Sequence, residues 1–331
     1  MTFSIGVDLG GTNLRVAAVD AQGKLLEKVT LGTRTASGRE AVLHDMCDAI
    51  RSLVAKHSNY ALKGIGIGMP GILDLRAGVL RESPNLKCWA GFPVRAEIEK
   101  CLGAQVILEN DANAAALGGH WLGAARDVED MAILTLGTGI GSALLLGGKI
   151  WHGMTGMAGE FGHMTLEPDG LPCKCGNRGC LEMYASATAV VRMAREATAS
   201  GESLLLERIV NSDPEFSAKA VYNLALQGDE VVGRIFRRVG RALGIAVANL
   251  VNALNLPLYV IGGGVSNAWD AFSPAIFEEL QSRSMVYAAT ALAEQLGHGG
   301  VFAPARTIVT RALLGSDAGL YGAARLPFLP Q

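Results

Sequence analysis

Apolar and polar positions alternate from the start of the chain. Phe3 to Asp8 (F-S-I-G-V-D) reads as a strand, and L-R-V-A-A-V-D as a second. After an A-Q-G-K turn at Ala21 to Lys24, L-L-E-K-V is a third, so the opening is a meander whose first turn is L-G-G-T-N. Ser37 to Val54 switches to the helical period, with Val42, Leu43, Met46, Ile50, Leu53 and Val54 at core spacing. The buried strand K-G-I-G-I-G-M then ends in a Pro-Gly turn, and its glycines predict close approach of a ligand or another element. Val79 to Trp89 reads as irregular and Phe92 to Leu102 as a short helix. A strand at Gln105 to Leu108 ends in E-N-D-A-N-A-A-A-L-G-G. Met131 to Leu146 repeats the opening: apolar strand, glycine–threonine turn, apolar strand. Helices follow at Ala185 to Ser200, Ser203 to Val210, Ser217 to Gln227 and Asp229 to Asn252, with Asp229 as a cap. Pro257 to Ile261 is a strand running into G-G-G-V-S. A helix around Phe272 to Arg283, a strand at Thr307 to Val309 and a small-residue helix at Ala312 to Ala324 close the chain.

This pattern is α/β, and 331 residues suit two domains or one large one. Half the residues are apolar, enough for a well-packed core. A formal charge of −2 and a pI near 6.3 argue against a non-specific nucleic-acid binder, which needs a basic face. No apolar run reaches the length of a membrane span, and Met1 to Val7 lacks the basic start of a secretory signal. Cys47, Cys88 and Cys101 lie scattered, which fits reduced thiols and a cytoplasmic location.

The densest chemistry lies between Gly156 and Tyr184. His163, Cys173, Cys175 and Cys180 follow one another closely, with Gly170, Gly176 and Gly179 to turn the chain. One imidazole and three thiolates complete a tetrahedron around zinc, and a closed set leaves no place for a reacting water, so such a zinc is structural. The competing reading is a disulfide with a spare thiol; an intracellular cluster with an upstream histidine favours metal. Glu160, His163 and Glu182 flank this knuckle and are candidate substrate contacts. In the first glycine loop, Asp8 can hold hydrated magnesium, while Gly10, Gly11 and Thr12 present N–H and hydroxyl donors to an oxyanion. No lysine follows, so this is not a Walker loop. Alone, a G-G-T turn is more often a plain hairpin. The second such turn, at Thr138 and Gly139, strengthens the phosphate reading of both, as two facing loops clamp a polyphosphate. Asp111 stands just past a strand end, where α/β folds place chemistry; the commoner role there is a helix cap. Gly262, Gly263 and Gly264 either admit a base or ribose or simply turn a strand into a helix.

Together, these motifs resemble the ROK family of bacterial sugar kinases, within the actin-like, ribonuclease-H-like ATPase superfamily. D-L-G-G-T-N, G-M-P-G, E-N-D-A-N-A-A-A-L-G, T-L-G-T-G-I-G-S, A-G-E-F-G-H, C-K-C-G-N-R-G-C-L-E-M-Y-A-S and I-G-G-G-V-S occur in the family's order along nearly the whole chain. The cysteine knuckle with its upstream E-x-G-H is the most specific part. The resemblance implies a two-domain α/β fold, with residues 1–117 and 311–331 forming a smaller domain. Residues 118–310 form a larger one holding a structural zinc knuckle at 163–180. It implies Asp111 as catalytic base and Gly71, Asn85, Asn110, Glu160, His163 and Glu182 as sugar contacts. Asp8, Gly10, Gly11 and Thr12 match a first phosphate loop, Thr138 and Gly139 a second, and Gly262 to Gly264 the adenosine motif. His163, Cys173, Cys175 and Cys180 match zinc ligands. One departure is Gly119, where family members often carry glutamate.

The expected activity is ATP- and magnesium-dependent phosphorylation of the 6-hydroxyl of glucose, in a homodimer whose domains close over the sugar. Mannose, fructose, allose and N-acetylhexosamines are the alternative substrates. A valine at Gly11 or Gly139 is expected to raise the KM for ATP far more than that for sugar, by colliding with phosphate. Loss of Cys175 is expected to harm sugar binding more than ATP binding. The family's repressors carry a DNA-reading segment ahead of the kinase-like body, and here the first glycine loop begins at Asp8, so none is expected. A dead sugar sensor is disfavoured by the presence of Asp111.

Overall fold

The computed structural model describes residues 1–83, 86–212, 216–295 and 306–330. The chain forms two compact units. One comprises Met1–Glu129, Ala143–Gly159 and Leu313–Gln331, and the other Asp130–Ser142 and Glu160–Ala312.

The first unit is built on a mixed sheet. Its strands are β1 (Thr2–Leu9), β2 (Asn13–Asp20), β3 (Leu25–Gly32), β4 (Ala61–Met69) and, beyond a small hairpin of β5 (Ile72–Asp74) and β6 (Val79–Glu82), β7 (Val106–Asn110). The order is β3-β2-β1-β4-β7. The meander β1–β2–β3 is antiparallel, whereas β1, β4 and β7 run parallel. Register sets Asp8 opposite Gly68, and Met69 opposite Asn110. Asp8, Gly68 and Asn110 therefore share the carboxyl edge of the parallel strands, where open α/β sheets bind ligands.

Alternation along β1 sends Phe3, Ile5, Val7 and Leu9 to one face. There they pack with Met46, Ile50 and Leu53 of the helix Arg39–Lys56 and with Trp89. Burying each such side chain is worth about 1.5–3 kcal/mol. The opposite face carries Ala17 and Val19 against Leu320 and Ala324 of the helix Ala318–Arg325. Here the glycines of the strands find their reason: a Cβ on Gly6 would strike Leu320 O, and one on Gly66 would strike Ala323 O. Of the two partners the sequence allowed for these glycines, an element rather than a ligand makes the approach.

The remaining strands are β8 (Met131–Leu136), β9 (Ile140–Leu146), β10 (Lys149–Ile150), β11 (Leu258–Gly262) and β12 (Ile308–Arg311), in the order β10-β9-β8-β11-β12. The boundary of the two units falls within β9. β8, β11 and β12 run parallel, with Gly262 opposite Thr135 and Ile261 opposite Arg311. The long helix Glu230–Leu254 starts at Asp229, whose carboxylate accepts from Val232 N at 3.0 Å, as its sequence predicts. It packs on Trp269–Arg283 so closely that a Cβ on Gly240 would meet Phe272 O.

Three elements depart from the sequence reading. Val79–Glu82, expected to be irregular, is strand β6, paired with β5 across a turn in which Gly78 takes φ 71°. The helix Met285–Gln295 was not foreseen; Ser284 breaks it from its predecessor and accepts from Tyr287 N at 3.1 Å. The last helix begins at Ala318 rather than Ala312, after a turn with Gly315 at φ 54°. Among the described residues, no helix is long and apolar enough to cross a membrane.

Candidate active site

In the first unit the candidate base sits where β7 becomes a helix. The cap of the helix Asp111–Leu122 is Asn110, not Asp111: its side-chain oxygen accepts from Ala112 N at 2.9 Å and Asn113 N at 3.2 Å. Asp111 is thus the first helical residue, with Oδ1 accepting from Ala112 N at 2.9 Å. The capping role that competed with catalysis is taken by its neighbour. The amide of Asn110 also donates to Gly71 O at 3.2 Å, so two of the predicted sugar contacts are joined. Gly71 is required by the fold as well. Its φ is 112°, and a Cβ there would collide with Glu82 O. Asn85 lies outside the described residues.

Beneath this turn lies a residue that the sequence reading passed over. Glu109 is 4 % exposed. One carboxylate oxygen accepts from Asn110 N and from the Asn113 amide, both at 2.9 Å, and the other lies 2.8 Å from His152 Nε2. That hydrogen bond pushes the His152 pKa up, against the opposing effect of burial. A buried carboxylate one residue from the helix cap was a usable signal in E-N-D. Its histidine partner, 43 residues away, carried none.

The first glycine loop is folded back on itself. Gly10 N donates to Asn13 O at 2.8 Å, and Thr33 holds the loop from outside through Gly10 O and Thr12 O. Burial pushes the Asp8 carboxyl up, and Arg15, 3.0 Å away, opposes this. The same guanidinium donates to Ser316 O at 2.9 Å, next to the last helix.

In the second unit, the turns after β8 and β11 lie on one edge of the sheet. Gly263 has φ 80°, and a Cβ on it would fall 2.5 Å from Leu136 N and O, so only glycine fits. At Gly264 a Cβ would meet nothing within 4 Å, so the backbone there faces open space. Thr138 and Gly139 lie in the turn between β8 and β9, which is closed by Gly137 N to Gly139 O at 2.9 Å. Ile140 N donates to Glu182 Oε2 at 2.8 Å, and a Cβ on Gly139 would run into that carboxylate. A side chain at 139 would therefore have to displace the Glu182 carboxylate, the far end of a flexible side chain. The Glu160 residue reaches solvent, yet the protein around its carboxyl pushes the pKa up; His163 opposes this, and the like charge of Glu182 adds to it.

The knuckle brings His163, Cys173, Cys175 and Cys180 together, with all four donor atoms within 4.8 Å of one another. Cys173 Sγ is 3.7 Å from His163 Nδ1, and Cys175 Sγ is 3.7 Å from Cys180 Sγ. A tetrahedral zinc with bonds of about 2.3 Å to sulfur spaces its sulfurs about 3.8 Å apart, so the donor set fits that ion. Gly176 and Gly179 turn the chain at φ 92° and 67°; Gly170 instead makes room for the Tyr184 hydroxyl, onto which its Cβ would fall. Burial pushes the Cys180 thiol up to about 12 and raises that of Cys173 as well, while the backbone N–H of Asn177 lowers that of Cys175.

Known proteins place this chain. Residues 4–327 match the ROK family. The glucokinase of Thermotoga maritima is 38% identical over 97% of this chain and 96% of its own. The ROK hexokinase of Thermus thermophilus superposes with a TM-score of 0.76 at 35% identity, over 97% of this chain and 96% of that one. A ROK family glucokinase from Streptomyces griseus, solved with glucose and AMPPNP, gives 0.78 at 34% identity over 98% of each. With its two mixed sheets and the glycine turns, acidic turn and cysteine knuckle in order along them, the chain belongs to the ROK family and has that family's α/β, actin-like kinase fold.

Proposed function

We infer that this protein is an ATP-dependent glucose kinase, transferring the γ-phosphoryl group to the 6-hydroxyl of glucose. The observation that carries the reading is the Glu109–Asn113 turn. Asn110 takes the cap and reaches Gly71, so Asp111 stands among predicted sugar contacts without serving as the cap. Asp111 accepts the proton of the attacking hydroxyl as transfer proceeds. Gly71, Asn85, Asn110, Glu160, His163 and Glu182 are assigned as the contacts to the sugar hydroxyls.

Asp8, Gly10, Gly11 and Thr12 take phosphate on the first unit. On the second, Thr138 and Gly139 take phosphate, and Gly262 to Gly264 take the adenosine. Asp8, paired with Arg15, would hold a hydrated magnesium ion, which would supply neutralisation of the charge that develops in transfer. Zinc on His163, Cys173, Cys175 and Cys180 is structural, fixing the loop between Glu160 and Glu182. A homodimer and a cytoplasmic location complete the reading.

The test is an ATP-coupled panel of hexoses and N-acetylhexosamines. Glucose is expected to give the highest kcat/KM. A higher value for mannose, fructose, allose or an N-acetylhexosamine moves the assignment to that sugar, and no turnover with any of them rejects it.

A further inference from the structure

The turn Gly137–Ile140 is held by the short stretch that follows the cysteine knuckle. Ile140 N–H donates to Glu182 Oε2 at 2.8 Å, and Ala187 N–H donates to Gly137 O at 2.8 Å. The Thr188 hydroxyl donates to Thr138 O at 2.7 Å. Three of the four turn residues are thus bonded from Glu182–Thr188. Thr188 is the second residue of the helix Ala187–Ala199, whose cap is Ser186, accepting from Ala189 N at 3.1 Å. The helix start is therefore satisfied by Ser186, and the exposed Thr188 hydroxyl is directed to the turn instead. A carboxylate has lone pairs on both oxygens, so Glu182 can accept from Ile140 N and from a sugar hydroxyl at once.

We propose that Thr188 is a positioning residue that, with Glu182, ties the phosphate turn Gly137–Ile140 to the sugar subsite, so that nucleotide and sugar bind cooperatively. The proposal rests on the roles given above to Glu182 and to the turn. A sugar hydroxyl on Glu182 fixes the carboxylate, and the carboxylate fixes Ile140. Thr188 keeps the turn seated so that this order reaches Thr138 and Gly139. Whichever ligand binds first meets the entropy of ordering the turn, and the second binds to a turn already ordered. The coupling is reciprocal by linkage.

The test uses the full chain and compares the Kd for AMPPNP with and without saturating glucose, by calorimetry, in wild type, Thr188→Val and Thr188→Ser. In wild type, glucose is expected to tighten AMPPNP. Thr188→Val should shrink that ratio by about two- to tenfold, which is what one neutral hydrogen bond is worth. Its Kd for glucose alone should stay within about twofold of wild type and its melting temperature should be unchanged, separating positioning from a structural defect. Thr188→Ser, which keeps the hydroxyl, should restore the ratio. An unchanged ratio in Thr188→Val overturns the proposal, as does a wild-type ratio of one. Failure of the sugar-kinase reading would look different: wild type would bind neither ligand, and the proposal would fall with it.

Discussion

At the scale of single residues, the account turns on which side chain does which job at the end of β7. Asp111 in sequence looks more like a cap than a base, although both need an acid just past a strand. The cap is a neighbour, since Asn110 accepts from two backbone N–H groups and leaves Asp111 inside the first turn. Glu109 and His152 show the opposite case. Nothing in W-H-G marks His152, because its partner is brought to it only by the fold. This pair gives a pH prediction. The Glu109 hydrogen bond raises the His152 pKa in the folded state above its ordinary 6.5. The stabilisation is therefore fully present below about pH 6.5 and is lost as pH rises through the raised value. His152→Gln should lower unfolding stability more at pH 6 than at pH 9, read from urea unfolding at both. An equal loss at the two pH values would mean that the pair acts only through shape.

At the scale of elements, legibility tracked whether the reason for a residue was local. The strands, the Asp229 cap and the glycine turns follow from period and turn chemistry, and the structure has them within a few residues. What lies across space was hidden. Gly139 reads as a phosphate glycine, yet the atom in its way is a carboxylate oxygen of Glu182, 43 residues further along. The expectation that a side chain at 139 harms ATP binding far more than sugar binding is accordingly revised. Gly139→Ala should raise the KM for both ligands, by about two- to tenfold, whereas displacement of phosphate alone would leave the glucose KM at the wild-type value. Initial-rate kinetics with each substrate varied in turn decides it.

The knuckle gives a second prediction at this scale. Cys175→Ala should purify with less than about one-tenth of the wild-type zinc, because an open three-donor set loses the closed tetrahedron. Since Glu182–Thr188 also seats the turn 137–140, the KM for ATP should rise with that for glucose, not behind it. Elemental analysis is the readout for the metal. Wild type free of zinc and fully active would reduce the cluster to a turn.

At the scale of the whole chain, each of two sheets carries candidate residues at the carboxyl ends of its parallel strands: Asp8 and Asn110 on one, Gly262 on the other. That placement follows from the strand order, which the sequence could not state, although the order of the motifs could be read end to end. The glycines of β1 and β4 make the same point. Their period was visible, but their partner, the helix Ala318–Arg325, lies far along the chain, Leu320 against Gly6 and Ala323 against Gly66. The last helix also packs tightly on the helix that Asp111 opens, for a Cβ on Gly322 would land on Ala114 O and one on Gly118 on Ala318 O.

The central claim is that this turn removes a proton from a glucose hydroxyl during phosphoryl transfer. The most direct measurement is the rate of glucose 6-phosphate formation from ATP by wild type and by Asp111→Asn, with glucose affinity measured on the same samples. The account predicts a fall in kcat of about 10²–10⁴-fold with the Kd for glucose nearly unchanged. Turnover by Asp111→Asn within a few-fold of wild type would contradict it.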